Sequence, residues 1–122
     1  MLYMLLISYD PSLPFEGPLL QPKHAELESE LREKGLYVSG AGLMPAEQGS
    51  TRVRHGKALK TEGPFAESKE VAGGYFIVEC SEEEAVEIAG RIAVEKRSWV
   101  DVRPIALFHP NAERISKIAA GA

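Results

Sequence analysis

The sequence predicts one α+β domain with the ferredoxin-like order βαββαβ, in which two helices cover one face of an antiparallel sheet. Three observations lead to this prediction. Two segments, "MLYMLLISY" and "GGYFIVEC", alternate like strands and are apolar on both faces, as central strands are. Each is followed by a stretch with helical periodicity and then by a further strand-like stretch. A short hairpin pattern interrupts this order before the second of the two segments.

The first strand comes from the N-terminal segment, whose alternating residues are Tyr3, Leu5, Ile7 and Tyr9 on one face and Leu2, Met4, Leu6 and Ser8 on the other. A loop rich in proline and glycine follows and ends at Pro22, which fits the first turn of a helix. The helix is predicted from about Pro22 to Lys34, with Gly35 as its terminator. Its inward face carries Leu20, His24, Leu27 and Leu31.

The second strand is predicted from Leu36 to Met44, and it loosens at Gly40 and Gly42. The hairpin is "TRVRHGKALKT", with His55-Gly56 at a two-residue turn. It leads into the polar stretch "KTEGPFAESKE" and then into the second central strand. The hairpin is therefore an insertion into the βαββαβ order.

The second helix begins with a capping box, because Ser81 is followed three residues later by Glu84. It is predicted to fray near Glu95, and its inward positions are Ala85, Ile88, Ala89, Ile92 and Ala93. The last strand is "SWVDVRPI", and Pro104 predicts an edge position or a bulge for its end. We assign residues 1–106 to the domain and residues 107–122 to a C-terminal tail in which "NAERISKIAAGA" predicts a short helix.

Composition and charge narrow the classes of function. The chain has 122 residues, of which 44% are hydrophobic and 26% charged, which is enough for one buried core. Its net charge of −4 comes without a basic stripe, so we expect no nucleic-acid partner. The apolar N-terminal segment is too short to cross a bilayer and has no basic leader, so we expect no membrane partner. A single cysteine, Cys80, predicts no internal disulfide and fits a reducing cytoplasm.

The sequence also carries no signature of a bound cofactor. No His, Cys, Asp or Glu residues fall at metal-ligand spacing, and no glycine-rich phosphate loop joins a strand to a helix. We therefore expect neither a metal nor a cofactor, and any chemistry falls to side chains.

The apolar character of both strand faces predicts a partner. Two helices cover only one face of the sheet, so the other face would expose a large apolar surface in a monomer. A second copy of the chain is the natural cover, and we expect a homodimer that packs sheet against sheet.

Four stretches, "MLYMLLISY", "HAELESELREKGLYVSGAGL", "TEGPFAESKEVAGGYF" and "WVDVRPI", resemble the YCII-related family, specifically the branch named for its Asp-Gly-Pro-Phe motif. The resemblance spans most of Met1 to Ile105 and implies a dimeric α/β barrel of ferredoxin-like subunits. It also implies a histidine on the first helix, paired with an acid in a cleft, and for some relatives lyase-like chemistry such as dehydrochlorination of aromatic compounds. That histidine corresponds to His24, whereas Glu62 replaces the leading aspartate of the motif.

His24 is the first candidate catalytic residue and Glu62 the second. A neutral imidazole close to an acid titrates in the range that a general base requires. The competing interpretation is a core histidine that hydrogen-bonds to a backbone carbonyl and a water. Both interpretations stay open at this stage.

The candidate binding residues lie in two regions. Phe65 and Glu67 belong to the polar stretch, where Gly63 and Pro64 turn the chain and direct Phe65 inward, and the acids either point into a pocket or meet solvent. The second region is the sheet. It contains Ser39, beside two glycines in the second strand, and Asp101 with Arg103 on one face of the last strand. For this charged pair, a mutual salt bridge at the sheet edge or dimer seam is favoured over anion binding.

Two functions from different classes follow. The first is a cofactor-independent lyase or isomerase that acts on a small organic or aromatic compound, with His24 as general acid or base. The second is a non-catalytic dimer in which the same cleft binds a small molecule for regulation. A structural dimer without a ligand is a third interpretation.

Overall fold

The structure, a computed structural model, describes residues 1–13, 22–46, 49–60 and 71–121. Six positions named in the sequence analysis lie outside this described part of the chain: Leu20, Glu62, Gly63, Pro64, Phe65 and Glu67. The predictions that concern these residues stay predictions.

The described residues form six strands and three helices. Their bounds are β1 Leu2–Tyr9, α1 Pro22–Glu33, β2 Tyr37–Gly42, β3 Thr51–Arg54, β4 Lys57–Lys60, β5 Val71–Glu79, α2 Glu82–Ile92, β6 Ser98–Pro104 and α3 Ala112–Gly121. Every predicted element is present. The second strand ends two residues earlier than predicted, at Gly42, and the exposed side chains of Leu43 and Met44 follow it.

The main sheet has four strands in the order β2-β5-β1-β6, and all its neighbours are antiparallel. When the β3-β4 hairpin is set aside, this order is the one expected for βαββαβ, with the first and third strands in the centre. The ferredoxin-like α+β prediction is therefore confirmed. The edge position of Pro104 is also confirmed, because β6 pairs on one side only.

One face of the sheet packs against α1 and α2. The core joins Tyr3 and Leu5 of β1 and Val78 of β5 to the inward side chains of the two helices, which are Leu27, Leu31, Ala85, Ile88, Ala89 and Ile92. The Ser81 hydroxyl accepts a hydrogen bond from the Glu84 backbone N–H, and the Glu84 carboxylate accepts one from the Ser81 N–H, so the capping box is confirmed. Ala93 was predicted to face inward, and this is wrong: it is exposed because the helix ends at Ile92.

The opposite face of the sheet carries no helix of the described residues. Cross-strand pairing places Leu6 beside Tyr75 on one side and Asp101 on the other, and Met4 beside Ile77 and Arg103. We call this surface the open face. It is largely apolar in the central strands, as the sequence predicted.

The hairpin and the C-terminal helix lie at the periphery. His55 and Gly56 both have positive φ, 52° and 76°, which is the backbone of the two-residue turn that the sequence predicted. Helix α3 begins after Asn111, whose side chain accepts a hydrogen bond from the Arg114 N–H, and none of its described residues is buried. No helix in the described part of the chain is long and apolar enough to cross a membrane.

Candidate functional site

A cleft of about 720 Å³ opens between the first turn of α1 and the helix-covered face of the sheet. His24 and Glu28 contribute from α1, Glu95 and Arg97 from the turn between α2 and β6, and Ser98 from the start of β6. The other lining residues are Ile7, Tyr9, Lys23, Ala25, Gly40 to Pro45, Gly73 to Phe76 and Ile92. The chemistry available in this cleft depends on the few charged groups among mainly apolar and glycine neighbours.

The floor of the cleft is a row of the sheet in which β2 and β5 carry glycine and so lack side chains. Ile7 of β1 pairs with Gly74 of β5, and Gly74 pairs with Gly42 of β2. Gly73 is the extra residue of a bulge in β5, between the pairs Ile7–Gly74 and Ser8–Ala72. The helices therefore contact the sheet fully at the Leu5 row and leave open space at the glycine row.

His24 lies half-buried at this space, on the first turn of α1. Burial, together with the neighbouring Lys23 ammonium group, lowers the pKa of His24 below the ordinary value of 6.5, while the Glu95 carboxylate acts in the opposite direction. The imidazole is therefore mainly neutral at pH 7. A neutral imidazole has a nitrogen lone pair that can accept a proton.

The turn between α2 and β6 brings an acid, Glu95, to the cleft, whereas the expected acid Glu62 lies outside the described residues. Glu95 lies near the start of this turn, and its carbonyl accepts hydrogen bonds from the Ser98 N–H at 3.3 Å and the Ser98 hydroxyl at 3.5 Å. These bonds hold Glu95, Arg97 and Ser98 together at one end of the cleft. No periodic pattern marks "VEKRS", so the sequence carried no signal that this segment reaches His24.

Arg97 is the most buried cation among the described residues, with 6% of its surface exposed. Its guanidinium carbon lies 4.6 Å from the centre of the Tyr9 ring, and one guanidinium nitrogen donates to the Leu13 carbonyl at 3.0 Å. The Arg97 carbonyl accepts a hydrogen bond from the Asp10 N–H at 2.8 Å. Arg97 thus ties the end of β1 to the turn that carries Glu95.

A second group of polar side chains extends from Glu28, which lines the cleft. Glu28 lies one helical turn after His24, and Arg32 donates to it at 3.2 Å. Burial, and then the negative charge of Glu28 and its hydrogen bond with the phenol, raise the pKa of Tyr37. The Tyr37 ring packs edge-on against Phe76, with ring centres 6.0 Å apart. Glu28 is therefore held in place by two partners.

The remaining described candidates do not join His24. Ser39 pairs with Ile77, and Asp101 and Arg103 pair with Leu6 and Met4, so all three candidates lie on the open face, separated from the cleft by the sheet. Asp101 and Arg103 were expected to form a mutual salt bridge, but no ion pair joins these two described residues.

The described residues contain no group of three His, Cys, Asp or Glu side chains that could hold a metal ion. Within the described part of the cleft, the groups placed for proton transfer are one neutral histidine and carboxylates. The arrangement fits general acid–base chemistry on a small molecule.

The pKa of His24 is expected to respond in opposite directions to its two charged neighbours. Lys23→Gln removes a positive charge and should raise this pKa, whereas Glu95→Gln removes a negative charge and should lower it further. Titration of the imidazole by NMR measures both shifts. Equal pKa values in the two variants would contradict the described placement of Lys23 and Glu95 around the ring.

The same lowered pKa affects stability. Because the unfolded chain takes up the proton first, the free energy of unfolding should fall as the pH drops below 6.5 towards the folded-state pKa. Above 6.5 this histidine should make no pH-dependent contribution. Substitution of His24 by glutamine provides the control, because it should remove this part of the slope.

A family model described as "YCII-related domain" matches residues 1–109. The chain is also similar to an uncharacterised protein of Rhizobium meliloti (strain 1021), with 34% identity over 83 residues. That alignment covers 64% of this chain and 66% of the relative, just under two thirds of the relative's length. The family match includes the whole sheet, both core helices and the cleft, and ends before α3.

Proposed function

The chain belongs to the YCII-related domain family, and on that premise we propose that it is a cytoplasmic, cofactor-independent enzyme that transfers protons on a small organic compound. The reaction is of the lyase or isomerase type, with His24 as general base and then general acid. One observation carries the proposal: His24 lies at an open cleft, with its pKa lowered by burial and with the Glu95 carboxylate nearby.

The proposed reaction begins when the neutral imidazole of His24 takes a proton from a carbon next to an electron-withdrawing group. The electron pair of the broken C–H bond moves into that group and gives an enolate-like anion. The Glu95 carboxylate stabilises the imidazolium cation that has formed. The imidazolium then returns the proton to another atom of the substrate, either a second carbon or a departing group.

Cationic groups at the cleft suit the anion that develops. The Lys23 ammonium group lies beside His24 and faces the same space. Arg97 adds a second positive charge at the Glu95 end of the cleft. Positive charge placed where an anion forms lowers the barrier without any cofactor, provided that the cleft excludes bulk water.

A metabolite screen tests the proposal. The protein is mixed with pools of small organic acids, phenols and ketones, stabilisation is read by thermal shift, and each stabilising pool is analysed by mass spectrometry and NMR for product or for exchange of C–H protons with D2O. Turnover or C–H exchange supports the enzyme. A compound that binds and stabilises the protein, but is neither converted nor exchanged, favours the regulatory binding protein instead.

We also propose that the open face is covered by a second copy of the chain. Leu6 lies at its centre between Tyr75 and Asp101 on the neighbouring strands, and the other partly exposed apolar members are Leu2, Met4 and Trp99, whereas Ile77 is buried. The described helices leave this face uncovered, and contiguous apolar surface of this kind marks an interface. Asp101 and Arg103 would then lie at the dimer seam, as would Ser39.

Leu6→Glu is expected to convert the dimer to a monomer. The new carboxylate would be buried at the seam beside Asp101, where a desolvated like-charge pair is unfavourable. Sedimentation equilibrium should give twice the mass of one chain for the unmodified protein and one chain mass for the variant. Val86→Glu is the matched control, because Val86 is 55% exposed on α2 and the same substitution there should leave the dimer intact. A monomeric unmodified protein would overturn the proposal.

A further inference from the structure

Two of the glycines that line the cleft lack room for a Cβ, and a third has little room. A Cβ at Gly74 would lie 2.5 Å from the Ala41 carbonyl oxygen, and one at Gly40 would lie 2.8 Å from the Phe76 ring. A Cβ at Gly73 would lie 3.2 Å from the Tyr9 ring. At Gly74 and Gly40 the neighbouring strand and ring occupy the place of a side chain, so the absence of a side chain follows from the fold, whereas at Gly73 the Tyr9 ring would have to shift by a few tenths of an ångström.

Gly42 is different. A Cβ at this position meets no described atom within 4 Å, and its φ lies outside the left-handed region that favours glycine. Glycine within a strand weakens that strand, because it loses more backbone entropy on folding and offers no side chain to pack. Neither packing nor backbone conformation among the described residues accounts for glycine at this position.

The strand register shows where a side chain at this position would go. Gly42 pairs with Gly74, and Gly74 pairs with Ile7, which packs against the core on the helix-covered face. Paired residues point to the same side of a sheet. A side chain at position 42 would therefore project into the cleft that His24 lines.

We propose that Gly42 determines specificity: it keeps open the part of the cleft in which the ligand approaches His24. The ligand packs against the bare backbone of β2 at this point, and the size of the residue at position 42 sets the largest group that can reach the imidazole. This inference rests on the proposed function for the role of His24, but access to the imidazole can be measured without any turnover.

The probe is diethyl pyrocarbonate, a small electrophile. A neutral imidazole nitrogen attacks one of its carbonyl carbons and keeps the ethoxycarbonyl group, and the remainder leaves as carbon dioxide and ethanol. Peptide mass spectrometry gives the rate separately for each histidine. His55 and His109 are exposed and do not line the cleft, so they report the intrinsic reactivity of the reagent within the same sample.

Gly42→Ala and Gly42→Val are compared with the unmodified protein and with Gly90→Ala. Gly90 is the matched control, since a Cβ there also meets no described atom within 4 Å, but it lies on the exposed side of α2 and outside the cleft lining. The rate at His24 is expected to fall by about tenfold or more in Gly42→Val, which adds three carbons, because even one added methylene has an effect of this size in a fitted pocket. Gly42→Ala should have a smaller effect and Gly90→Ala none.

Three results would overturn the inference, two of them in the modification and stability measurements. One is a rate at His24 that stays unchanged in Gly42→Val, which would mean that position 42 does not control access. The other is a lowered melting temperature in Gly42→Ala, which would mean that the fold itself requires glycine there. The proposed function fails separately: it fails if no compound is turned over, whatever the rates of modification. An enzyme that keeps its substrate range in Gly42→Val would retain the proposed function and lose this inference.

Discussion

His24→Gln should reduce kcat/KM by about 10²- to 10⁴-fold on any substrate that the screen identifies, which is the usual contribution of a positioned general base. Glutamine keeps a polar side chain of similar length but has no basic nitrogen lone pair, so KM should change little and kcat should carry the loss. The measurement is steady-state kinetics on both proteins. His109→Gln is the matched control, because His109 is exposed beyond β6 and lies outside the cleft lining.

The pH profile adds an independent check on this role. Since burial lowers the pKa of His24 below 6.5, kcat/KM should stay constant from neutral pH to below 6.5 and fall only as the imidazole becomes protonated. Glu95→Gln should move this acid limb to lower pH, because the carboxylate raises the pKa of His24. A His24→Gln variant with unchanged kcat would show that the chemistry depends on another group.

Gly74→Ala should destabilise the protein by about 1–3 kcal/mol or more, in the range of overpacking a filled interior. The new Cβ would lie 2.5 Å from the Ala41 carbonyl oxygen and 3.2 Å from the Gly42 Cα, and both are backbone atoms of the paired strand. Relief therefore requires β2 and β5 to separate, at the expense of their ladder of hydrogen bonds. Chemical denaturation gives the free energy of unfolding directly.

Gly42→Ala is the control for this prediction, because the two glycines are paired across the same strands and only Gly74 lacks room for a Cβ. The stability of Gly42→Ala should be equal to or above that of the unmodified protein. If both variants had the same stability, strand separation at Gly74 would not be the cause of any loss.

Much of the architecture could be predicted because local signals agreed with one another. The Ser81–Glu84 box fixed the start of α2, and the His55-Gly56 pair fixed the hairpin turn. Apolar residues on both faces of β1 and β5 identified the central strands. Errors occurred at element ends, as at Ala93 and Leu43, where one hydrogen bond more or less decides the boundary.

The candidate site could be predicted only in part. The position of His24 on an inward helix face follows from periodicity, and the structure places this residue at a cleft. Glu95 and Arg97 could not be found in the same way, because they belong to a short turn with no period, 71 to 73 residues further along the chain. Asp101 and Arg103 showed the opposite problem. Their alternation along the strand was clear, but it could not say whether they lie on the helix-covered face or on the open face of the sheet.

The sequence by itself determined the order of the elements and the apolar faces, because these depend on backbone preferences and on periods of 2 and 3.6 residues. Only the tertiary structure decided which groups meet. Strand register places Gly42 and Gly74 in one row with Ile7 and so opens the cleft, while the α2–β6 turn brings Glu95 to His24. Contacts between residues far apart in the chain depend on register and packing, which no local pattern encodes.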